Sequence, residues 1–274
     1  MTDAATSLAW VSRSPVPVAQ IPFSPEPAVS FVLVTYGTGT VVIRAIASLV
    51  ASLTGDDLGV EVVVVDNEHP DRPHRTRNHL LLDTSGVRVV RPGRNLGFAS
   101  ACNEGVRRSS GATIGLVNPD VEFTVGWIDP LLAALDGDVA IAAPVLLEPD
   151  GTVQSAGHRL FADGSTAPVT SSPGPGAVGR PDYASAACWL MRRAVFDQLG
   201  GFDERFFPAY YEDVDLALRA RPHGGTGVIG DSSVVHHRGA STASNVVPDT
   251  TPQRLHLLEN WPSLTSTQPA TRAD

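Results

Sequence analysis

Short β-branched runs alternate with a helical repeat through the first half of the chain, and this alternation most narrows the folds open to it. Val29–Thr35 and Val60–Asp66 are apolar stretches that end in polar residues, as strands buried on both faces of a parallel sheet do. Between them Val42, Ala45, Ile46, Leu49, Val50 and Leu53 fall at i, i+3, i+4 and i+7 spacings, which places one apolar stripe on a helix. Thr38 or Thr40 is placed to cap its start. Residues 86–91 read as a third strand, 98–108 as a helix and 112–117 as a fourth strand. Such a β-α-β series specifies an α/β fold with a parallel sheet.

Sheets of this kind bind ligands beyond the carboxyl ends of their strands. That edge collects Thr35-Tyr36-Gly37, Asp66-Asn67, Arg94-Asn95-Leu96-Gly97 and Asn118-Pro119-Asp120. Each segment alone is ordinary turn chemistry. Polar groups at the same end of four successive strands are not explained by turns alone. A dinucleotide fingerprint is a poor match, because its third glycine would fall at Val42.

The second half changes character. Residues 140–147 read as a strand, 148–151 as a hairpin turn and 152–160 as the return strand. The Gly-, Pro-, Ser- and Thr-rich stretch 162–182 reads as a mobile surface loop. A buried strand over 184–191, a helix starting near Tyr211 and a strand ending near Val235 follow. The segment from Phe206 to Leu216 sets Glu212, Asp213 and Asp215 behind four aromatic residues. Aromatic surroundings exclude water and raise a carboxyl pKa towards values useful for proton removal. Acidic residues also favour the first turn of a helix, and Asp215 fits that structural role.

Charge and composition exclude other classes. The net charge is −9 and all 20 basic residues are arginine, which disfavours general nucleic-acid binding while leaving guanidinium groups for phosphate or carboxylate. Cys102 and Cys188 are too few for a disulfide framework, so a reducing compartment is expected. No stretch reaches the roughly 18 apolar residues of a membrane helix, and the N-terminal tract is Pro-rich. A soluble, cytoplasmic protein is the expectation, with peripheral contact at the inner face of a membrane and a homodimer left open.

The ordered set Val34-Thr35-Tyr36, Val65-Asp66-Asn67, Asn95-Leu96-Gly97-Phe98-Ala99 with Asn103-Glu104-Gly105, Asn118-Pro119-Asp120, Gly200-Gly201-Phe202-Asp203-Glu204, Glu212-Asp213-Val214-Asp215-Leu216, and His236 with Ser241 resembles family 2 glycosyltransferases. Within them it is most similar to the rhamnosyltransferase-like subset, over about residues 28–245. The resemblance implies a GT-A fold, a Rossmann-like, mainly parallel sheet flanked by helices with a smaller acceptor-binding C-terminal part. Residues 1–27 would be a Pro-rich extension, 28–122 the nucleotide-sugar half, 123–245 the acceptor and catalytic half, and 246–274 a tail with a short helix.

The resemblance further implies roles for individual residues. Thr35 and Asp66 would contact the base or ribose, Asp66 accepting a pyrimidine N3–H, with Arg94 or Asn95 holding the base. Tyr36, Gly97 and Asn118 complete that set. Asp120 matches the metal-binding carboxylate of a D-x-D motif, and His236 a histidine near the diphosphate and metal. Asp213 matches the catalytic base, with Glu212 orienting the acceptor or the base. A divalent ion, Mg2+ or Mn2+, would offset charge on the departing diphosphate, and one displacement with one base inverts the anomeric centre.

Asn118 replaces the first carboxylate of the D-x-D motif, removing one negative charge from the ion site. The donor would be dTDP-rhamnose or a UDP-sugar, and the acceptor a glycan, a lipid-linked sugar or a small molecule. Two alternatives come from other classes. A catalytically silent nucleotide-sugar-binding module need not keep both Asp120 and Asp213. A sugar-phosphate nucleotidyltransferase needs a basic glycine-rich loop, whereas Gly37-Thr38-Gly39-Thr40 has no basic residue until Arg44.

Overall fold

The computed structural model describes residues 24–53, 58–72, 87–239 and 249–266. The first β-branched run is β1 (Val29–Thr35), followed by α1 (Gly39–Ser52) and β2 (Val60–Asp66). Next come β3 (Arg88–Val90), α2 (Gly97–Arg107), β4 (Thr113–Val117), β5 (Val121–Glu122) and α3 (Asp129–Asp136). Strands β6 (Ile141–Leu147), β7 (Val153–Ser155), β8 (His158–Leu160), β9 (Thr166–Pro168), β10 (Val178–Gly179) and β11 (Cys188–Arg192) lead to α4 (Arg193–Gln198). Helix α5 (Glu212–Ala220), strand β12 (Thr226–His236) and helices α6 (Thr251–Asn260) and α7 (Ser263–Ser266) complete the order.

One ten-stranded sheet organises these elements in the order β3-β2-β1-β4-β11-β6-β12-β10, with β5 on β12 and β7 on β6. Strands β3, β2, β1 and β4 run parallel, as the alternating pattern requires. Strand β11 runs antiparallel to both β4 and β6, so its start lies at the edge where the parallel strands finish. Side chains alternate between two apolar layers. Phe31 and Leu33 pack with Ile46, Leu49 and Trp127 on one face, while Val32 packs with Cys102, Leu116 and Phe206 on the other. Among the described residues no helix is long and apolar enough to cross a membrane.

Several local expectations need correction. Thr38 occupies the N-cap of α1 but makes no side-chain capping bond; its hydroxyl lies 3.0 Å from the Thr35 hydroxyl instead. The return strand breaks into β7 and β8 around Gly157, where φ is +87°. The stretch 162–182 carries β9, which pairs with β8, and β10, which pairs with β12. Its backbone finds sheet partners despite a composition typical of loops. The third strand is shorter than 86–91, and residue 86 lies outside the described residues, as does Ser241.

Gly105 lets α2 lie directly on the sheet, because a Cβ there would sit 2.3 Å from Val32 Cγ1 and 3.1 Å from Val65 Cγ2. Gly105→Ala is therefore expected to overpack this contact and cost roughly 1–3 kcal/mol, read as a lower urea midpoint. An unchanged midpoint would mean that α2 does not rest on β1 at this distance.

Candidate functional site

Register places the first site residues side by side. Thr35 and Asp66 are direct partners at the ends of β1 and β2, and both are buried. Arg91 Nε approaches Asp66 Oδ2 to 3.8 Å, supplying a cation at the mouth. Asn67 ties this edge to the next loop: its N–H donates to Thr35 O (2.8 Å), its Nδ2 donates to Gly97 O (3.0 Å), and its Oδ1 accepts the Leu96 N–H (3.1 Å). Asn95 Oδ1 accepts the Gly97 N–H at 2.9 Å. The Tyr36 ring lies 4.7 Å from that of His69. Arg94, Asn95 and Leu96 line a cleft of about 470 Å³ shared with Ser100, Arg107 and Phe207.

Gly97 has φ +77°, and a Cβ there would lie 2.7 Å from Pro208 O. That carbonyl accepts the Phe98 N–H at 2.7 Å, so the loop before α2 and the aromatic segment are locked together.

The Asn118-Pro119-Asp120 turn faces the other half of the chain. Asn118 N–H donates to Ala187 O at 2.8 Å, and Asp120 O accepts the His237 N–H at 2.9 Å. His236 Nε2 lies 3.4 Å from Asp120 Oδ1, whereas His237 turns its Nε2 to Glu122 Oε2 at 2.8 Å. Gln154 holds His236 from two sides. Gln154 Nε2 donates to the His236 carbonyl (3.0 Å), and a carbonyl can only accept, so the Oε1 held 2.7 Å from His236 Nδ1 must receive a proton from that nitrogen.

With Nδ1 held in this way, Nε2 is the ring nitrogen turned to the Asp120 carboxylate. A hydrogen bond backing Nδ1 is what a metal-binding imidazole uses, and the Asp120 carboxylate beside Nε2 is a hard oxygen ligand. Asp120 and His236 thus fit a divalent cation. Among the described residues no group of three or more His, Cys, Asp and Glu side chains is arranged to hold a metal.

Helix α5 begins with Glu212 after two left-handed residues, Tyr210 (φ 82°) and Tyr211 (φ 72°). Asp213 Oδ2 accepts the Ala186 N–H at 3.2 Å, and Oδ1 accepts the Val214 N–H at 2.9 Å. Burial pushes its carboxyl up to about 6, against the pull of these N–H groups. Burial raises Glu212 well above the carboxylate range, and the neighbouring Asp213 charge adds to this. Glu212 Oε2 is buried without a hydrogen-bond partner, and the Glu212 charge acts on the Cys102 thiol in α2. The two carboxylates therefore have different surroundings. Asp215, as its position on the helix predicts, pairs elsewhere, with Arg219 at 2.7 Å.

Residues beyond the sequence expectations also border this region. Tyr183, raised first by burial and then by the Asp213 charge, stacks on His158 at 4.8 Å. Burial and the Arg238 charge lower His158 to about 4, keeping that ring neutral. Gln154 and Tyr183 lie in or beside strands, and a single polar residue in a strand pattern announces no partner. Thr35, Asp66, Asn95, Asn118, Asp120 and Asp213 meet along one sheet edge through Asn67, Ala186 and Ala187.

The Glycosyl transferase family 2 sequence model matches residues 30–200. N-acetylglucosaminyl-diphospho-decaprenol L-rhamnosyltransferase of Mycobacterium tuberculosis is 31% identical over 245 residues, 77% of this chain and 76% of that protein. The low-salt glycan biosynthesis hexosyltransferase Agl10 of Haloferax volcanii is 27% identical over 59% of this chain and 53% of its own length. Among solved structures, GalNAc-T7 with UDP, GalNAc and Mn2+ superposes with a TM-score of 0.71 at 17% identity. That match covers 87% of this chain, which spans half of the GalNAc-T7 chain. The Pyrobaculum calidifontis mannosyltransferase PcManGT, with GDP-Man and Mn2+, gives 0.53 at 18% identity over 97% of this chain and 71% of its own. The chain belongs to glycosyl transferase family 2, as a rhamnosyltransferase-like glycosyltransferase with a GT-A fold.

Proposed function

We propose that this glycosyltransferase moves rhamnose from dTDP-rhamnose to a hydroxyl of a lipid-linked N-acetylglucosaminyl diphosphate, with inversion at the anomeric carbon. The observation that carries the reading is Asp213, a buried carboxylate pushed up to about 6 and held by Ala186 beside the Asn118–Asp120 turn. A base with that pKa is ionised at neutral pH yet takes a proton readily. The transferred sugar and the lipid-linked acceptor come from the M. tuberculosis relative, whose match covers about three quarters of each chain, and the dTDP carrier from the resemblance to the rhamnosyltransferase-like subset.

In this reading residues 28–122 hold the donor and 123–245 the acceptor. Asp66 accepts the N3–H of the thymine, Thr35 and Tyr36 border the nucleoside, and Arg94, Asn95 and Gly97 close over the base. Asn118 lies beside the diphosphate. Asp213 takes the proton of the acceptor hydroxyl as its oxygen bonds to the anomeric carbon. The bond from that carbon to the diphosphate breaks, and dTDP leaves with the electron pair. Asp120 and His236 would hold a Mg2+ or Mn2+ ion, which when bound offsets the charge gathering on the leaving diphosphate. Glu212, whose carboxyl burial raises well above its ordinary value, backs Asp213 at the start of α5.

Three outcomes are expected. Asp213→Asn should retain the rise in melting temperature given by dTDP-rhamnose with Mn2+ while transfer falls by roughly 10²–10⁴-fold; transfer at the wild-type rate would remove Asp213 as the base. Gln154→Leu should raise the Mn2+ concentration that half-saturates the thermal shift about 10-fold or more, and an unchanged midpoint would separate His236 from the ion.

The third outcome concerns stability against pH. The folded Asp213 binds its proton more tightly than the unfolded one, so its contribution is present at low pH and lost as pH rises from about 4 to about 6. The stability difference between wild type and Asp213→Asn should move in favour of the variant by up to about 3 kcal/mol between pH 4 and 7. Parallel urea midpoints across that range would contradict a raised carboxyl at this position.

A further inference from the structure

Helix α6 lies beyond the stretch that resembles the family, yet one of its faces is given over to the segment that carries Asp213. Gln253, His256, Leu257, Asn260 and Trp261 fall at i, i+3, i+4, i+7 and i+8, a single stripe on a helix and the residue that ends it. Leu257 is fully buried in the layer that also holds Phe206 and Leu216, and Leu255 on the other side is exposed.

The polar members of the stripe each take a specific partner. Gln253 Nε2 donates to Phe207 O at 2.9 Å. Trp261 Nε1 donates to Asp215 Oδ1 at 2.9 Å. His256 sets its ring 4.8 Å from that of Phe206, and Asn260 Nδ2 reaches Asp203 Oδ2 at 3.4 Å. On the flank, Arg254 Nη1 donates to Asp163 O at 3.1 Å, and the adjacent Gly164 carbonyl accepts the Tyr211 hydroxyl at 3.0 Å.

These contacts bracket the left-handed pair Tyr210–Tyr211, a conformation that L-residues rarely adopt and that persists only where its surroundings hold it. Gln253 grips the chain before the pair and Trp261 grips helix α5 after it. We propose that α6 is a positioning element for the transfer step, with Gln253 and Trp261 holding both sides of the Tyr210–Asp213 turn so that the Asp213 carboxylate keeps its place against Ala186. The proposal rests on the reading of Asp213 as base. A helix serving only stability would need its buried Leu257, not a donor aimed at each side of a strained turn.

Trp261→Phe keeps the ring and removes the N–H, and Gln253→Met keeps the length and removes the amide. Melting with dTDP-, UDP- and GDP-sugars identifies the donor to use, and turnover is read as nucleotide release with a prenyl-diphospho-N-acetylglucosamine acceptor, or with water where that acceptor is not used. Each variant is expected to lower kcat roughly ten- to a hundredfold with donor KM within about twofold, and the pair together should lose less than the product of the two. Wild-type kcat with only a lower melting temperature would overturn the proposal, and Gln253→Met decides it if Trp261→Phe does not fold. Asp213→Asn measured alongside separates the two readings. A fully active Asp213→Asn removes the base, whereas an inactive one beside fully active Gln253→Met and Trp261→Phe removes the positioning role alone.

Discussion

The peptide groups of Ala186 and Ala187 join the two halves of the site, and their place follows from the direction of one strand. Because β11 runs antiparallel to β4, Cys188 pairs with Val117, and the residues just before β11 lie where β4 ends. Ala187 O accepts the Asn118 N–H there, and the Ala186 N–H reaches Asp213. A parallel β11 would place its start at the opposite edge, leaving Asp213 without that donor. The turn bearing Asp120 and the helix bearing Asp213 are thus set against each other by hydrogen bonds to two adjacent peptide groups, whose net worth of about 1 kcal/mol each matters less than the geometry they impose.

What the sequence made legible was whatever its own periodicity expresses. Strands β1 and β2 and helix α1 follow from apolar spacing, and the carboxyl-edge loops follow from strand order. The direction of β11 does not, since antiparallel and parallel buried strands read alike when both faces are covered. Strands β9 and β10 were hidden because their partners are backbone groups of β8 and β12, and backbone pairing leaves little mark on a stretch rich in Gly and Pro. The stripe on α6 was obscured for a related reason. Gln253, His256, Asn260 and Trp261 are polar or mixed, so a search for apolar residues finds only Leu257 on that face.

The three carboxylates of α5 show how far composition stops short of chemistry. Glu212, Asp213 and Asp215 are within four positions of one another, and successive helical residues turn through about 100°. Asp215 meets Arg219 and the Trp261 indole, which satisfy its charge and make it a strut. Glu212 is buried with no partner for one oxygen, and the ionised form is the costly one there. Asp213 lies between these extremes, with an N–H for each oxygen and little water, which keeps it ionisable at a raised pKa.

A raised carboxyl is costly to maintain in a folded protein, and the surroundings of Asp213 show how that cost is met. Each neutral-pH fold carries a buried charge whose two N–H partners offset only part of its lost hydration, and beside it stand two tyrosines in a conformation L-residues rarely adopt. Both penalties would relax if the turn before α5 opened towards water. Closure comes from three directions: the Pro208 carbonyl on Phe98, the Tyr211 hydroxyl on Gly164, and Gln253 on Phe207. Each anchor belongs to a different element, α2, the β8–β9 turn and α6, so the placement of one carboxylate depends on parts of the chain more than 150 residues apart.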